Sequence, residues 1–333
     1  MKKIVTLGIA IVCLITTKSW AQTISTLPLQ ENVFCQGENF NVSFAVNGVF
    51  TAGNVFSVQL SDNSGSFASP VIIGTFAATG SGNISAGIPL GALTGSAYRI
   101  RVVASSPIQV GTDNGNDITI NTLPSVTFTA PADVCNSEAP IVLISGTGVP
   151  AGGSGVYSGQ GVFGDSFYPS FAGAGNFTLT YTYTDVNGCA AASSDAITVF
   201  NTPVVTLSAS IPQCANSPAF TLNLGNPTGG AYTVNGIAQT QFDPSVYSVG
   251  NHQINYTYTD NNGCVDSASG FITVNQLPLV SYSVPSAVCE GTAVNLTFSP
   301  SGGNLLVDGI ANVGTYNAQN PGTYPVDYTY NDP

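Results

Sequence analysis

Tyr181-Thr-Tyr-Thr-Asp-Val-Asn-Gly-Cys189 returns as Tyr256-Thr-Tyr-Thr-Asp-Asn-Asn-Gly-Cys264 and begins again as Tyr328-Thr-Tyr-Asn-Asp332. Each copy lies downstream of another cysteine: Cys135, Cys214 or Cys289. The pattern describes a tandem array. Its residues also fix the class of each unit. In Phe177-Thr-Leu-Thr-Tyr-Thr-Tyr-Thr184, large residues alternate with threonine. A strand turns successive side chains to opposite faces, so Phe177, Leu179, Tyr181 and Tyr183 share an inward face and the threonines point out. His252, Ile254, Tyr256 and Tyr258 repeat the inward set, as do Tyr324, Val326, Tyr328 and Tyr330. One apolar and one polar face predict antiparallel sheets covered on one side, as in a sandwich.

Working outward, Asn187-Gly188 and Asn262-Gly263 read as two-residue type I′ hairpin turns. The strands Asp195-Ala-Ile-Thr-Val199 and Gly270-Phe-Ile-Thr-Val274 complete the hairpins. Upstream, Gly152-Gly153, Gly229-Gly230 and Gly302-Gly303 mark a turn in every unit, and Asn121-Thr-Leu-Pro124, Asn201-Thr-Pro203 and Asn275-Gln-Leu-Pro278 read as linkers. The predicted organisation is a segment 1–21, a β-sandwich module 22–122 without a disulfide pair, immunoglobulin-like modules 123–201 and 202–275, and an incomplete module 276–333. The fold class is all-β: tandem immunoglobulin-like β-sandwiches, the last one truncated. The module boundaries predict bridges Cys135–Cys189 and Cys214–Cys264, and leave Cys35 and Cys289 unpaired in this chain. Closing a loop of about 50 residues stabilises a small sandwich by about 4 kcal/mol in the chain-entropy treatment.

Residues 1–21 read as a signal peptide. Lys2 and Lys3 precede an apolar run from Ile4 to Thr17, and Ser19-Trp-Ala21 places small residues at the cleavage positions. A lipoprotein reading through Cys13 is disfavoured by the large Val12 before it. No later apolar run reaches the length of a membrane helix, so no membrane insertion is expected. An exported chain permits disulfides. Beyond residue 21 the only Lys or Arg residues are Arg99 and Arg101; set against 17 acids, with the histidine neutral, they leave a formal charge of −15. Nucleic-acid binding needs cations that displace phosphate counterions, so that class is excluded.

The modules resemble the immunoglobulin-like and PKD-like modules of large Bacteroidetes surface proteins associated with gliding motility and type IX secretion. The matching residues are Gly53-Asn-Val-Phe-Ser-Val-Gln-Leu-Ser-Asp62, Tyr98-Arg-Ile-Arg101 and the Tyr-Thr-Tyr-Thr-Asp-x-Asn-Gly-Cys segments. The resemblance implies a secreted or cell-surface protein, non-enzymatic, acting as a stalk or adhesin in surface attachment or gliding. Its partners would be surface polysaccharide or other cell-surface proteins. It also implies a C-terminal sorting domain downstream of these residues. The alternative is a carbohydrate-binding or spacer region of a larger secreted enzyme whose catalytic domain lies outside the chain.

Candidate chemistry is sparse. His252 is the sole histidine and falls on the inward face, which rules out a His-rich metal site and an ordinary Ser-His-Asp relay. Arg99 and Arg101 share an outward face, where they form either a patch for an acidic glycan or pairs with local carboxylates. Asp185 and Asp260 recur in the hairpin turns; Ca²⁺ ligation is the weaker reading and turn capping the stronger. Asp113-Asn-Gly-Asn-Asp117 poses the same choice. Otherwise no cofactor is expected. The acids form no distinct pair of the kind glycoside hydrolysis uses. Asp266-Ser267-Ala268 matches a short O-glycosylation pattern.

Overall fold

The computed structural model describes residues 22–208 and 212–331. The signal-peptide reading of residues 1–21 lies outside that range. The molecule is almost entirely β, 51% strand against 2% helix, in sandwich-like sheets, so the all-β class holds. The chain divides into two compact units, Met1–Val199 and Phe200–Pro333.

The first unit contains two cores. In the first, a seven-stranded sheet runs in the order Val71–Ala77, Val55–Leu60, Ile100–Ser105, Ile108–Asp113, Thr23–Thr26, Asn39–Asn47, Gly82–Gly87. A second sheet joins Val33–Cys35, Ile118–Asn121 and Gly95–Tyr98. Period two decides which side chains go inside. Phe56, Val58 and Leu60 are buried from one strand and Ile100, Val102 and Ala104 from its neighbour.

The second core is built on the long hairpin Gly175–Thr184 and Ala190–Phe200, in register from Gly175 opposite Val199 to Thr184 opposite Ala190. Ser154–Ser158 and Val134–Cys135 complete the sheet. Leu179, Tyr181 and Tyr183 are buried against Ile197, Val199, Phe167 and Leu143, while Phe177 is half-buried.

The second unit also has two cores. The hairpin Gly250–Thr259 and Val265–Asn275 carries the third, with Ile254, Tyr256, Ile272 and Val274 fully buried. The fourth is smaller: Asn304–Val307 pairs with Ile310–Asn312 and Val326–Thr329 around Leu296, Leu305 and Val307.

The Gly-Gly turns have two separate causes. Gly152, Gly229 and Gly302 have φ of 101°, 97° and 92°, which side chains with a Cβ disfavour. Gly153, Gly230 and Gly303 lie under a tyrosine. The Tyr183 hydroxyl donates to the Pro150 carbonyl and accepts from Gly153 N–H, both at 2.7 Å. Tyr256 bridges Pro227 and Gly230, and Tyr328 bridges Pro300 and Gly303, in the same way. A Cβ on Gly153 would stand 2.1 Å from the Thr184 carbonyl oxygen.

The hairpin turns differ from the type I′ expectation. Gly188 and Gly263 have φ of 85° and 87°, but Asn187 and Asn262 are not in the positive-φ region. The ladder extends one pair further, through Asp185 N–H to the Cys189 carbonyl and Asp260 N–H to the Cys264 carbonyl, both 2.9 Å. Three residues therefore form each loop, a turn closed by a left-handed glycine. The Asp185 carboxylate accepts from the N–H groups of Asn187 and Cys189, each at 2.9 Å, and thereby holds the longer loop.

The disulfide framework also differs from the one expected. Cys35, expected to be unpaired, is bonded to Cys189 with Cα atoms 5.6 Å apart. The bridge therefore runs from the first core to the second and spans 154 residues, in place of a Cys135–Cys189 closure within one module. Cys135 and Cys264 are each disulfide-bonded. Cys214, expected to bond Cys264, is a half-buried free thiol, and Cys289 is an exposed one. The physical reason is position. Cys35 ends a strand paired in parallel with Ile118–Asn121, and Cys189 lies at the hairpin end; the fold brings their Cα atoms to 5.6 Å, within disulfide geometry.

Candidate functional site

The arginines, the turn aspartates and His252 singled out in the sequence each have a partner close by. Arg99 Nε donates to Asp117 Oδ1 at 2.7 Å, and its Nη1 lies 3.7 Å from Asp113. The acidic loop 113–117 is thus closed by an arginine. Asp113 also accepts from Gly115 N–H, while the buried Asn114 accepts from Ile100 N–H and donates to the Asn116 carbonyl. Arg101 Nε donates to Gln59 at 2.8 Å, and its guanidinium sits 4.3 Å above the Phe67 ring. Stacking and hydrogen bonding hold both guanidinium groups along the sheet surface.

Asp185 is 6% exposed, and its carboxylate is occupied by turn amides. Asp260 accepts from Asn262 N–H at 2.9 Å and Cys264 N–H at 2.8 Å. In both turns the Oδ1 oxygen accepts from two backbone amides, so capping is the role the geometry supports. Among the described residues no three of His, Cys, Asp and Glu come together as a metal site.

His252 is 7% exposed. Its Nε2 lies 2.7 Å from the Ser248 carbonyl, which fixes Nε2 as the protonated nitrogen, and Nδ1 then accepts from Asn235 Nδ2 at 3.1 Å. The ring packs 4.8 Å from Tyr247. It fills an inward position in the third core and holds a loop.

Three aspartates, Asp62 and Asp195 exposed and Asp243 half-buried, are held below the ordinary aspartate value of 3.8 by hydrogen bonds to the charged form. Asp62 is held by the Ser64 hydroxyl and then by the Ser66 and Ser64 amides. Asp195 is held by Ala130 and Ala196 N–H, and Asp243 by the Ser245 hydroxyl and amide. Burial pushes the Tyr181 phenol up. These shifts arise from turns, an exposed strand position and the core, each from its own local contacts. Ser267 of the Asp-Ser-Ala motif is exposed on its strand, while Asp266 accepts from Val205 N–H.

Two features escaped the reading of the sequence. One is the bridge between cores. Its signal was present: moving every first cysteine to pair with the following module's turn cysteine gives Cys35 the partner Cys189. The other is a surface trio, Phe163, Tyr168 and Phe171, in edge-to-face contact at 5.6 to 5.9 Å. Phe163 is 59% exposed and Phe171 71%. No pattern in the sequence separates these rings from core aromatics. The sequence matches no protein-family model and no curated protein.

Proposed function

We propose that the chain is an exported, non-enzymatic stalk or adhesive segment of the Bacteroidetes surface-protein type, moved by type IX secretion and used in attachment or gliding. The observation that carries this reading is the Cys35–Cys189 bridge, which ties the first core to the second covalently. A link of that kind resists separation of neighbouring sandwiches under load, and disulfides suit an oxidising, extracellular setting. Its partner would be a surface polysaccharide or another surface protein. The aromatic trio at Phe163, Tyr168 and Phe171 favours a second reading, a carbohydrate-binding spacer of a larger secreted enzyme.

The test is retention under shear. Cells displaying the chain should stay attached at flow rates that remove cells displaying a C35S, C189S variant of equal surface abundance. Equal detachment would count against the stalk reading. Release of reducing ends from a polysaccharide by the purified chain would overturn the non-enzymatic assignment.

A further inference from the structure

One face of the second core carries aromatic rings that the fold itself does not use. Ile141–Val142, Ser166–Phe167 and Val162–Phe163 form a three-stranded sheet. Its inward row sets Ile141 and Val162 beside the fully buried Phe167. Its outward row is Val142, Ser166 and Phe163. The short helix Pro169–Ala172 supplies Phe171, and Tyr168 precedes it. Val142 is 62% exposed, comparable with Phe163 and Phe171.

The third core shows what this scaffold requires. Phe242-Asp-Pro-Ser-Val246 repeats Phe167-Tyr-Pro-Ser-Phe171, and Phe220 faces Phe242 as Ile141 faces Phe167. In that register Thr221, Gln241, Asp243 and Val246 take the places of Val142, Ser166, Tyr168 and Phe171. Counted back without a gap, Ala238 takes the place of Phe163. The same scaffold therefore closes without the rings. The second core also gives up a cap. The Asp243 carboxylate accepts from Ser245 N–H at 3.0 Å, whereas the Tyr168 side chain makes no capping bond. Rings this exposed return little burial energy, so folding does not account for the trio.

The geometry of the trio limits what can lie on it. Phe163, Tyr168 and Phe171 each touch the other two, with interplanar angles of 72° to 81°. Rings in mutual contact leave no gap for an inserted group, so a ligand must lie across the top. They are also held in place before a ligand arrives, which lowers the ordering cost of binding. The two phenylalanines expose roughly 250 Å² together, against about 800 Å² that each partner buries in a stable protein pair. Residues 123–201 hold five acids and no Lys, Arg or His, which disfavours an anionic ligand. Ser166 stands in the row between Val142 and Phe163, and Asp165 and Ser170 are exposed.

We infer that this face binds a neutral glycan, whose pyranose rings lay their C–H faces on Phe163 and Phe171 while its hydroxyls meet Ser166, Ser170 and Asp165. The faces of the aromatic rings are electron-rich and the sugar C–H hydrogens electron-poor, so stacking is favourable without net charge. The inference deepens the carbohydrate-binding reading given above and rests on it.

The test uses the 333-residue chain with cellohexaose, xylohexaose and mannohexaose as neutral probes. Saturable binding of at least one is expected at millimolar concentration in a nuclear magnetic resonance titration. The ring signals of Phe163 and Phe171 should shift, and added salt should leave the affinity unchanged. The triple variant F163A, Y168D, F171V installs the residues of the third core. It should bind at least about tenfold more weakly. Its urea midpoint should be kept or raised, because the cap is restored, so weaker binding would not reflect unfolding. No binding of any of the three probes would overturn the site, as would equal binding of an anionic galacturonan oligosaccharide. Binding that the triple variant retains in full would overturn this site and leave the carbohydrate reading standing, with recognition elsewhere on the chain. A concentration-dependent dimer that the triple variant abolishes would also overturn it, by assigning the rings to a second copy.

Discussion

Cys35 and Cys189 are bonded across 154 residues, joining the end of a short parallel strand in the first core to the hairpin turn of the second. A loop of that length confines the unfolded chain strongly, by about 5 kcal/mol in the chain-entropy treatment. Peptide mapping under non-reducing conditions should recover a Cys35–Cys189 pair, and a Cys135–Cys189 pair would contradict the structure. The C35S variant should unfold at markedly lower denaturant than the parent, measured by tryptic susceptibility or circular dichroism.

Stretching single molecules gives an independent check. Force applied to the chain ends cannot extend the segment enclosed by the bridge. Reduction should therefore lengthen the fully unfolded chain by at least roughly 500 Å, from about 3.3 to 3.6 Å per released residue. An unchanged contour length would show that no such bridge exists.

The tyrosine clamps predict a stability pattern. Removing the hydroxyl of Tyr183 or Tyr256 leaves a carbonyl and a glycine N–H without their partner. Y183F and Y256F should each lose about 1–3 kcal/mol in urea unfolding, the cost of stranding buried polar groups. Y328F should lose less, because Tyr328 is only half-buried.

The two glycines of each turn should respond differently. G153A drives a Cβ against the Thr184 carbonyl and the Tyr183 ring, and neither backbone nor clamped ring can retreat cheaply. About 2 kcal/mol or more should be lost, typical of overpacking. At Gly152 the nearest atom to a Cβ is Val186 Cγ1 at 3.4 Å, so G152A should show mainly the penalty of its positive φ, about 1 kcal/mol. Thermal melts of the two variants would separate these causes.

Acid should weaken the fold through named carboxylates. Asp62, Asp195 and Asp243 have folded values below the ordinary 3.8. Stabilisation from a depressed carboxylate is present above the unfolded value and is lost as pH falls through the folded one. Stability should therefore decline from 3.8 downward. In D62N and D195N, urea midpoints against pH should fall less steeply, since one titrating group is removed; an unchanged slope would count against these contacts.

Much of the architecture was legible because it is local. The alternation in Phe177–Thr184 depends only on the pleat, and it placed Leu179, Tyr181, Tyr183, Ile254 and Tyr256 in cores and Arg99 and Arg101 outside. The inward position of His252 followed from the same alternation. The Gly-Gly and Asn-Gly pairs marked turns correctly, since positive φ is a property of single residues. The type of hairpin turn was not legible: it depends on where the Asp185 and Asp260 carboxylates point, and that added a pair to each ladder.

The sequence by itself determined the strands, their faces and the all-β class, because these follow from backbone periodicity and residue conformation. Only the tertiary structure decided that Cys35 meets Cys189 and that tyrosine hydroxyls close over the Gly-Gly turns. Each of these is a condition on distance between segments far apart in the chain. A disulfide needs Cα atoms within about 7 Å whatever the separation in sequence, and spacing alone does not show which cysteines satisfy it.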